Sequence, residues 1–364
     1  MHINENFSSI VLAIRKIAEL AAQKPGCIRA DIGDPNLLTP QHIIDATKKA
    51  LDEGKTKYPP YLGLPALRDA IAKHESTKGV TYQKENVIVT AGAAHSLMLA
   101  LAGILKPGER VSIIKPYWEY ENITKGIRAN VDYYTVAELL RTKPQKETKA
   151  IIINSPNNPS GAMITKKELK EIAEYAKQHD LFIISDDVYE QIYYDEKPTS
   201  IAQYAPENTL IVNSVSKTYS MTGYRVGWIC GPAKYMDALG KGIRATVSCC
   251  NPFAMEGALA ALTGPQQCVE ETRAEYTKRK NAVMNGIKKI KWQCEEPKGA
   301  FYAYPKINED SWKFAMNLME KANVAVVPGE GFGDKDHIRI SFGSLSVEQI
   351  NEGFERIEKF LDER

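Results

Sequence analysis

Short apolar runs alternate along most of the chain with longer segments in which apolar residues recur every three or four positions. The short runs are typical of buried β-strands, and the longer segments are typical of amphipathic helices. Because the strand-like runs are apolar throughout and helices lie between them, the pattern favours a mostly parallel sheet covered by helices on both faces. Strands are predicted at 86–90, 110–114, 150–153, 181–185 and 210–215, with helices at 93–105 and 165–179.

The pattern changes after about residue 264, where a long charged helix is predicted. The remaining elements indicate a smaller α+β domain, which a helix at 10–23 could join because chain termini often meet. We therefore predict a large α/β domain at 34–270 and a small domain made of 1–33 and 271–364. The C-terminal elements are a helix at 266–290, an apolar segment at 300–304, a helix near 312–322, strands at 324–327 and 337–341, and a last helix near 347 with Ser346 as its N-cap.

Composition changes this picture little. The chain has 364 residues, of which 43% are hydrophobic and 25% charged, and its formal net charge is +2. This near balance gives no indication of a nucleic-acid or membrane-surface partner. No apolar stretch approaches the ~20 residues of a membrane span, and the first residues do not resemble a signal peptide, so a cytoplasmic location is expected. The six cysteines form no CxxC pair, which favours reduced buried thiols.

Polar residues follow several predicted strands, at the edge where open α/β sheets form their sites. Asn158 follows the strand at 150–153, Asp186 follows 181–185, and Lys217 follows 210–215. A phosphate-bearing aldehyde cofactor could use this set, because a lysine amine forms a Schiff base and a carboxylate keeps a pyridine nitrogen protonated. The helix N-terminus at Ala93 and Ala94 offers N–H groups for the phosphate. Each residue alone is more often a surface charge, a cap or a turn former.

Several segments together resemble the class I/II aminotransferases, the fold-type I pyridoxal-phosphate (PLP) enzymes. Residues 214–228, which contain Lys217, look like the lysine signature of that family. Residues 155–161 are similar to its Asn-Pro-x-Gly turn, and 186–189 match its Asp-x-x-Tyr motif. Order and spacing agree over nearly the whole chain, and four further segments fit: 57–63, 67–68, 116–118 and 339–342.

The resemblance implies a role for each matching residue. Lys217 would hold PLP as a Schiff base and then carry a proton, Asp186 would pair with the pyridine nitrogen, and Asn158 and Tyr189 would bond the 3-oxygen of the cofactor. Arg339 would clamp the substrate α-carboxylate. The other implied contacts are Gly33 to that carboxylate, Trp118 to the ring, and Ala93, Ala94, Ser214, Ser216, Arg225 and the neighbouring subunit's copy of Tyr58 to the phosphate.

The reaction that the resemblance implies is ping-pong transfer of an amino group between an L-amino acid and a 2-oxo acid. A homodimer with shared active sites is expected, without a metal, a nucleic acid or a membrane as partner. One alternative is a PLP-dependent C–S (β) lyase, which would use most of the same residues. Another is a non-catalytic ligand-sensing module, but the basic helix-turn-helix region that usually precedes such a module is not found in this sequence.

Position 94 departs from the family pattern. Family members often have Ser, Thr or Lys there, and in some bacterial members that lysine reads the second carboxylate of aspartate. Here the residue is Ala94. We therefore expect that aspartate is not recognised in the lysine-based way. The alternatives left open are substrates with a neutral or aromatic side chain and glutamate bound by another group. Asp187, where the family often has Glu, is expected to point away from the cofactor ring.

Overall fold

The structure, a computed structural model, describes residues 13–364. Three sheets and the helices around them make up this part of the chain. Its strands are β1 (Ile28–Arg29), β2 (Val87–Thr90), β3 (Arg110–Ile114), β4 (Asn130–Tyr134), β5 (Thr148–Asn154), β6 (Phe182–Asp186), β7 (Thr209–Ser214), β8 (Gly227–Cys230), β9 (Tyr302–Ala303), β10 (Val324–Ala325), β11 (Val327–Pro328) and β12 (Ile338–Ser341). Its α-helices span Ala13–Ala22, Gln41–Asp52, Pro65–Ser76, Ala93–Ile104, Tyr120–Gly126, Val136–Arg141, Lys166–Gln178, Ala233–Thr246, Pro252–Thr263, Gln267–Lys289, Ser311–Lys321 and Val347–Asp362.

The central sheet has seven strands in the order β2-β8-β7-β6-β5-β3-β4. Neighbouring strands are parallel except at β8, which is antiparallel to both β2 and β7. The predicted mostly parallel sheet is therefore confirmed, and its five predicted strands agree with the observed bounds to within two residues. Strands β4 and β8 were not predicted, since the first mixes polar with apolar residues and the second begins at a glycine, a residue that is depleted in strands.

Alternating side chains of the same strand bury the two faces of this sheet, as the two-residue period of a strand requires. On β5, Ile152 packs in the cluster that contains Leu97 of the helix Ala93–Ile104. Its neighbours Ile151 and Ile153 pack on the other side with Leu169 of the helix Lys166–Gln178. Helices thus cover both faces, and the carboxyl ends of the strands remain available to form a site.

The C-terminal part of the chain forms two smaller sheets. Strands β11, β12 and β9 are antiparallel neighbours, whereas β1 and β10 form a separate parallel pair. The single strand predicted at 324–327 is therefore wrong, because the chain changes sheets between β10 and β11 within one continuous apolar run. The predicted cap at Ser346 is confirmed, since its side chain accepts a hydrogen bond from the backbone N–H of Gln349.

The N-terminal helix Ala13–Ala22 packs through Ile17 and Ala21 against Met319 and Ala325 of the C-terminal region. The N-terminal helix thus joins the C-terminal region, as expected, although residues 10–12 of the predicted helix lie outside the described part. The domain bounds 34–270 and 1–33 with 271–364 stay a prediction. Within residues 13–364 no helix combines the length and apolar character needed to cross a membrane.

Candidate active site

A cavity of about 320 Å³ lies where β5, β6 and β7 end and the helix Ala93–Ile104 begins. The three-stranded sheet contributes Tyr302 of β9 and Arg339 of β12 to its lining. Twelve of the thirteen predicted site residues line this cavity: Gly33, Ala93, Ala94, Trp118, Asn158, Asp186, Tyr189, Ser214, Ser216, Lys217, Arg225 and Arg339. The exception is Tyr58, which is outside the lining and 87% exposed.

Lys217 brings an amine into the cavity from the loop that follows β7. Its Nζ donates a hydrogen bond to the carbonyl oxygen of Gly33 at 2.7 Å. Burial lowers the pKa of Lys217 to about 8. The nearby carboxylate of Asp34 raises this pKa, whereas the guanidinium groups of Arg339 and Arg225 lower it. A lysine with this lowered pKa has a usable fraction of neutral amine near pH 7, which a nucleophile or a base requires.

Asp186, the last residue of β6, is buried at the floor of the cavity. The hydroxyl of Tyr120 donates to its Oδ2 at 2.6 Å, and the backbone N–H of Val188 donates to its Oδ1 at 3.4 Å. Burial raises the pKa of Asp186 to about 6, although Tyr120 opposes this shift. The carboxylate can therefore pair with a protonated nitrogen of a ligand placed over it.

Tyr189 is held by a residue that was not predicted. Its hydroxyl lies 2.8 Å from the hydroxyl of Tyr302, which comes from β9. Burial raises the pKa of Tyr189 well above its usual range, so that its phenol keeps its proton at neutral pH. Tyr189 thus offers a hydroxyl that can donate to a ligand oxygen.

Arg339, on β12, is fully buried beside the cavity. Its Nη1 donates to Oδ1 of Asn158 at 3.1 Å, and its Nη2 donates to the carbonyl oxygen of Asp31 at 2.7 Å. The guanidinium lies over the rings of Tyr302 and Phe332, at 4.7 and 5.0 Å from their centroids. No described residue accepts a hydrogen bond from its Nε. A buried guanidinium with an unmatched N–H and no carboxylate partner suits an anionic ligand.

Another part of the cavity lining combines a helix N-terminus with a guanidinium. Gly92, which precedes the helix Ala93–Ile104, has φ +86°, and a Cβ there would lie 2.4 Å from Nη2 of Arg225. Glycine therefore allows Arg225 to approach the first turn, where the N–H groups of Ala93 and Ala94 have no helical partner. With the buried hydroxyls of Ser214 and Ser216 nearby, this end suits a phosphate.

Sequence reasoning missed several lining residues, among them Glu119, Asn154 and Tyr302, and it missed Tyr120, which is hydrogen-bonded to Asp186. Asn154 is the last residue of β5, so the rule that located Asp186 at the end of β6 could have found it. Tyr302 comes from a two-residue strand without a clear pattern. Asp187 contacts Ser185 at 2.6 Å and Lys78 at 3.5 Å, which agrees with the expectation that it points away from the cavity.

Comparison with known proteins points to one family. The description "Aminotransferase class I and II" matches residues 25–357. The chain is 38% identical to an aspartate aminotransferase of Geobacillus stearothermophilus, over 98% of this chain and 97% of that protein. It is 33% identical to an aspartate/prephenate aminotransferase of Thermus thermophilus, over 97% and 96% of the two chains.

Solved structures agree with these sequence matches. The aspartate aminotransferase from Thermus thermophilus with maleate superposes with a TM-score of 0.93 at 32% identity, covering 99% of this chain and 100% of that one. The aromatic aminotransferase from Pyrococcus horikoshii superposes with a TM-score of 0.89 at 36% identity, covering 96% and 99%. The similarity therefore extends over the whole architecture that surrounds the cavity.

Proposed function

Because this chain belongs to the class I and II aminotransferase family, we propose that it transfers an amino group between an L-amino acid and a 2-oxo acid with PLP held on Lys217. The observation that carries this proposal is the position of Lys217, whose buried amine has a pKa of about 8 in a cavity with Asp186 at its floor and Arg339 at one side. The reaction requires an amine that is easily deprotonated, a carboxylate, and a guanidinium that has no carboxylate partner among the described residues.

The residues of the cavity fit this cofactor group by group. The N–H groups of Ala93 and Ala94 with Ser214, Ser216 and Arg225 would hold the phosphate. Trp118 and Asp186 would hold the ring and its nitrogen, while Asn158 and Tyr189 would bond the 3-oxygen. When bound, PLP supplies an aldehyde that takes up the amino group and a ring that withdraws electrons from the substrate Cα. The close approach of Arg225 to Gly92 supports the position given to the phosphate.

The protein's own part in the reaction is to orient the substrate and move protons. Arg339 would bind the α-carboxylate through its two-pronged guanidinium, which fixes Cα relative to Lys217. Lys217 would take the proton from the substrate Cα and deliver it to the aldehyde carbon of the cofactor, as its lowered pKa allows. Asp186, mostly ionised at pH 7 with a pKa of about 6, would hold a proton on the facing ring nitrogen.

A transfer assay with a labelled donor tests this proposal. With a ¹⁵N-labelled amino acid and an unlabelled 2-oxo acid, the label should appear in the new amino acid, and Lys217→Ala should abolish the transfer. Release of pyruvate and a thiol from cystathionine without any oxo acid would instead favour the C–S lyase. The relatives compared above carry aminotransferase names and give the lyase no support.

We also propose a homodimer in which Tyr58 of one subunit reaches the phosphate of the other. Its 87% exposure in the single chain leaves this side chain available for a contact with a partner subunit. Light scattering should give the mass of two chains, and Tyr58→Phe should weaken PLP binding. A fully active monomer would contradict this part of the proposal. The cytoplasmic location stays a prediction.

The residue at position 94 bears on which amino acid the site recognises. Two relatives named above carry aspartate in their names, but Ala94 leaves this chain without the lysine that the resemblance connects with the second carboxylate. Ala94 lines the cavity with a methyl group in that place. We therefore propose that aspartate is not recognised in the lysine-based way.

A further inference from the structure

The cavity is lined by both cationic and carboxyl side chains. Its described cationic side chains are Lys217, Arg225 and Arg339, and its carboxyl groups are Asp186 and Glu119. Four of these five groups have a position in the proposed reaction: the amine for the cofactor aldehyde, one guanidinium for each of two anions, and one carboxylate for the ring nitrogen. Glu119 has none, and a partly buried carboxylate in a binding cavity has to be explained.

The backbone around Glu119 is fixed on both sides. Its neighbours Trp118 and Tyr120 meet edge to face, with their ring centroids 5.6 Å apart. Tyr120 is in turn hydrogen-bonded to the buried Asp186. Within residues 13–364 no hydrogen bond or ion pair to the carboxyl group of Glu119 is found, and only burial and the charge of Arg339 act on its pKa. It is therefore held at the cavity wall and left available to a ligand.

Glu119 lines the same cavity as Arg339. Burial raises its pKa, and of the three cations in the lining it is Arg339 that opposes this shift by its charge. A substrate whose α-carboxylate is bound by Arg339 would therefore have Glu119 within the range of its other groups.

We propose that Glu119 selects amino donors whose side chains end in an amine, a guanidinium or an amide N–H, and that it discriminates against donors with a second carboxylate. This inference rests on the aminotransferase function proposed above. A donor group would satisfy the unpaired carboxylate of Glu119, whereas a second carboxylate would meet a like charge. The three cavity cations are already matched to the cofactor and the α-carboxylate, and Ala94 adds no fourth.

The test measures the first half of the reaction on the PLP-loaded protein with four donors: lysine, glutamine, aspartate and leucine. Absorbance changes of the bound cofactor after rapid mixing give a second-order rate constant for each donor. We expect lysine to exceed aspartate by at least about tenfold in the wild type, the effect of one favourable charge contact. In Glu119→Gln the lysine-to-aspartate ratio should fall about tenfold, while leucine changes by less than about threefold.

Glu121→Gln is the matched control, since it removes the same charge two residues away. Glu121 pairs with Lys125 and does not line the cavity. The lysine-to-aspartate ratio of the Glu121→Gln variant should therefore equal that of the wild type. Glu119→Ala repeats the experiment if the glutamine variant loses its cofactor. Donors that react at an unchanged lysine-to-aspartate ratio in both Glu119 variants would overturn the inference and leave the aminotransferase function intact, as would a strong preference of the wild type for aspartate. Failure of every donor to react would overturn the proposed function itself.

Discussion

The hydroxyl of Tyr120 donates a hydrogen bond to the buried carboxylate of Asp186 at 2.6 Å, although 66 positions separate the two residues. This contact opposes the upward shift that burial imposes on the pKa of Asp186, which is raised to about 6. Tyr120 thereby favours the ionised carboxylate, which is the form that attracts a protonated ring nitrogen.

Tyr120→Phe should therefore raise the pKa of Asp186 further. A hydrogen bond to a charged group contributes about 1.5–3 kcal/mol, which corresponds to roughly one to two pKa units. The measurement is the dissociation constant of PLP between pH 5 and 8 in a Lys217→Ala background, where the lysine amine no longer titrates. We expect the loss of affinity on acidification to begin about one pH unit higher in the Tyr120→Phe variant than in the protein that keeps Tyr120. Identical pH profiles would show that the contact has no influence on Asp186.

The burial of Asp186 also predicts how stability depends on pH. The folded protein raises this pKa to about 6, above an unfolded value near ~3.9, so it binds the proton more tightly than the unfolded chain. The contribution of Asp186 to stability is thus fully present below the unfolded pKa and is lost as the pH rises to about 6. Without cofactor, Asp186→Asn should stabilise the protein by up to about 3 kcal/mol at pH 8 and by much less at pH 4. Denaturant unfolding at both pH values checks this, and equal effects would contradict it.

A buried cluster of charged residues lies next to the site and includes the residues that directly follow Asp186 and Tyr189 in sequence. Lys78 contacts three carboxylates, those of Glu75 at 2.7 Å, Asp187 at 3.5 Å and Glu190. Glu190 also lies 2.6 Å from Nε2 of His74. Asp187 directly follows Asp186 and Glu190 directly follows Tyr189 in sequence, so the cluster anchors the segment that carries both.

Lys78→Met should destabilise the protein strongly, because it leaves several buried carboxylates without their cation. Removal of one partner from a buried ion pair costs about 3–5 kcal/mol. Lys49→Met is the control, since Lys49 is 76% exposed and its pair with Glu53 should contribute less than about 1 kcal/mol. Urea unfolding of both variants gives the comparison, and a loss at Lys78 no larger than at Lys49 would refute the prediction.

Gly92→Ala should weaken PLP binding at least about tenfold, since the new Cβ would displace Arg225 from the helix N-terminus. Gly108 offers a matched control, because it has the same φ of +86° and no atom within 4 Å of a built Cβ. Gly108→Ala therefore places an alanine at the same positive φ without the contact. If both variants bind PLP equally well, the position given to Arg225 is wrong.

Much of the fold was predictable because the strands of the central sheet are buried on both faces and are therefore apolar throughout. The same rule located Asp186 and Lys217, since residues just beyond parallel strands converge at one edge of the sheet. The contacts of Tyr120 and Tyr302 could not be predicted in this way. They depend on how a short helix and a two-residue strand pack across the cavity, and such packing leaves no periodic pattern in the sequence. The switch of sheets between Val324 and Val327 has the same explanation.

The central claim is that Lys217 holds PLP, and the visible absorption spectrum of the protein with PLP tests it most directly. The wild type should show a yellow band that arises from covalent attachment and that bleaches when suitable amino acids are added. Lys217→Ala should lack the attached form although its other cofactor contacts remain. No band in the wild type after addition of PLP, or the same lysine adduct in Lys217→Ala, would contradict the account.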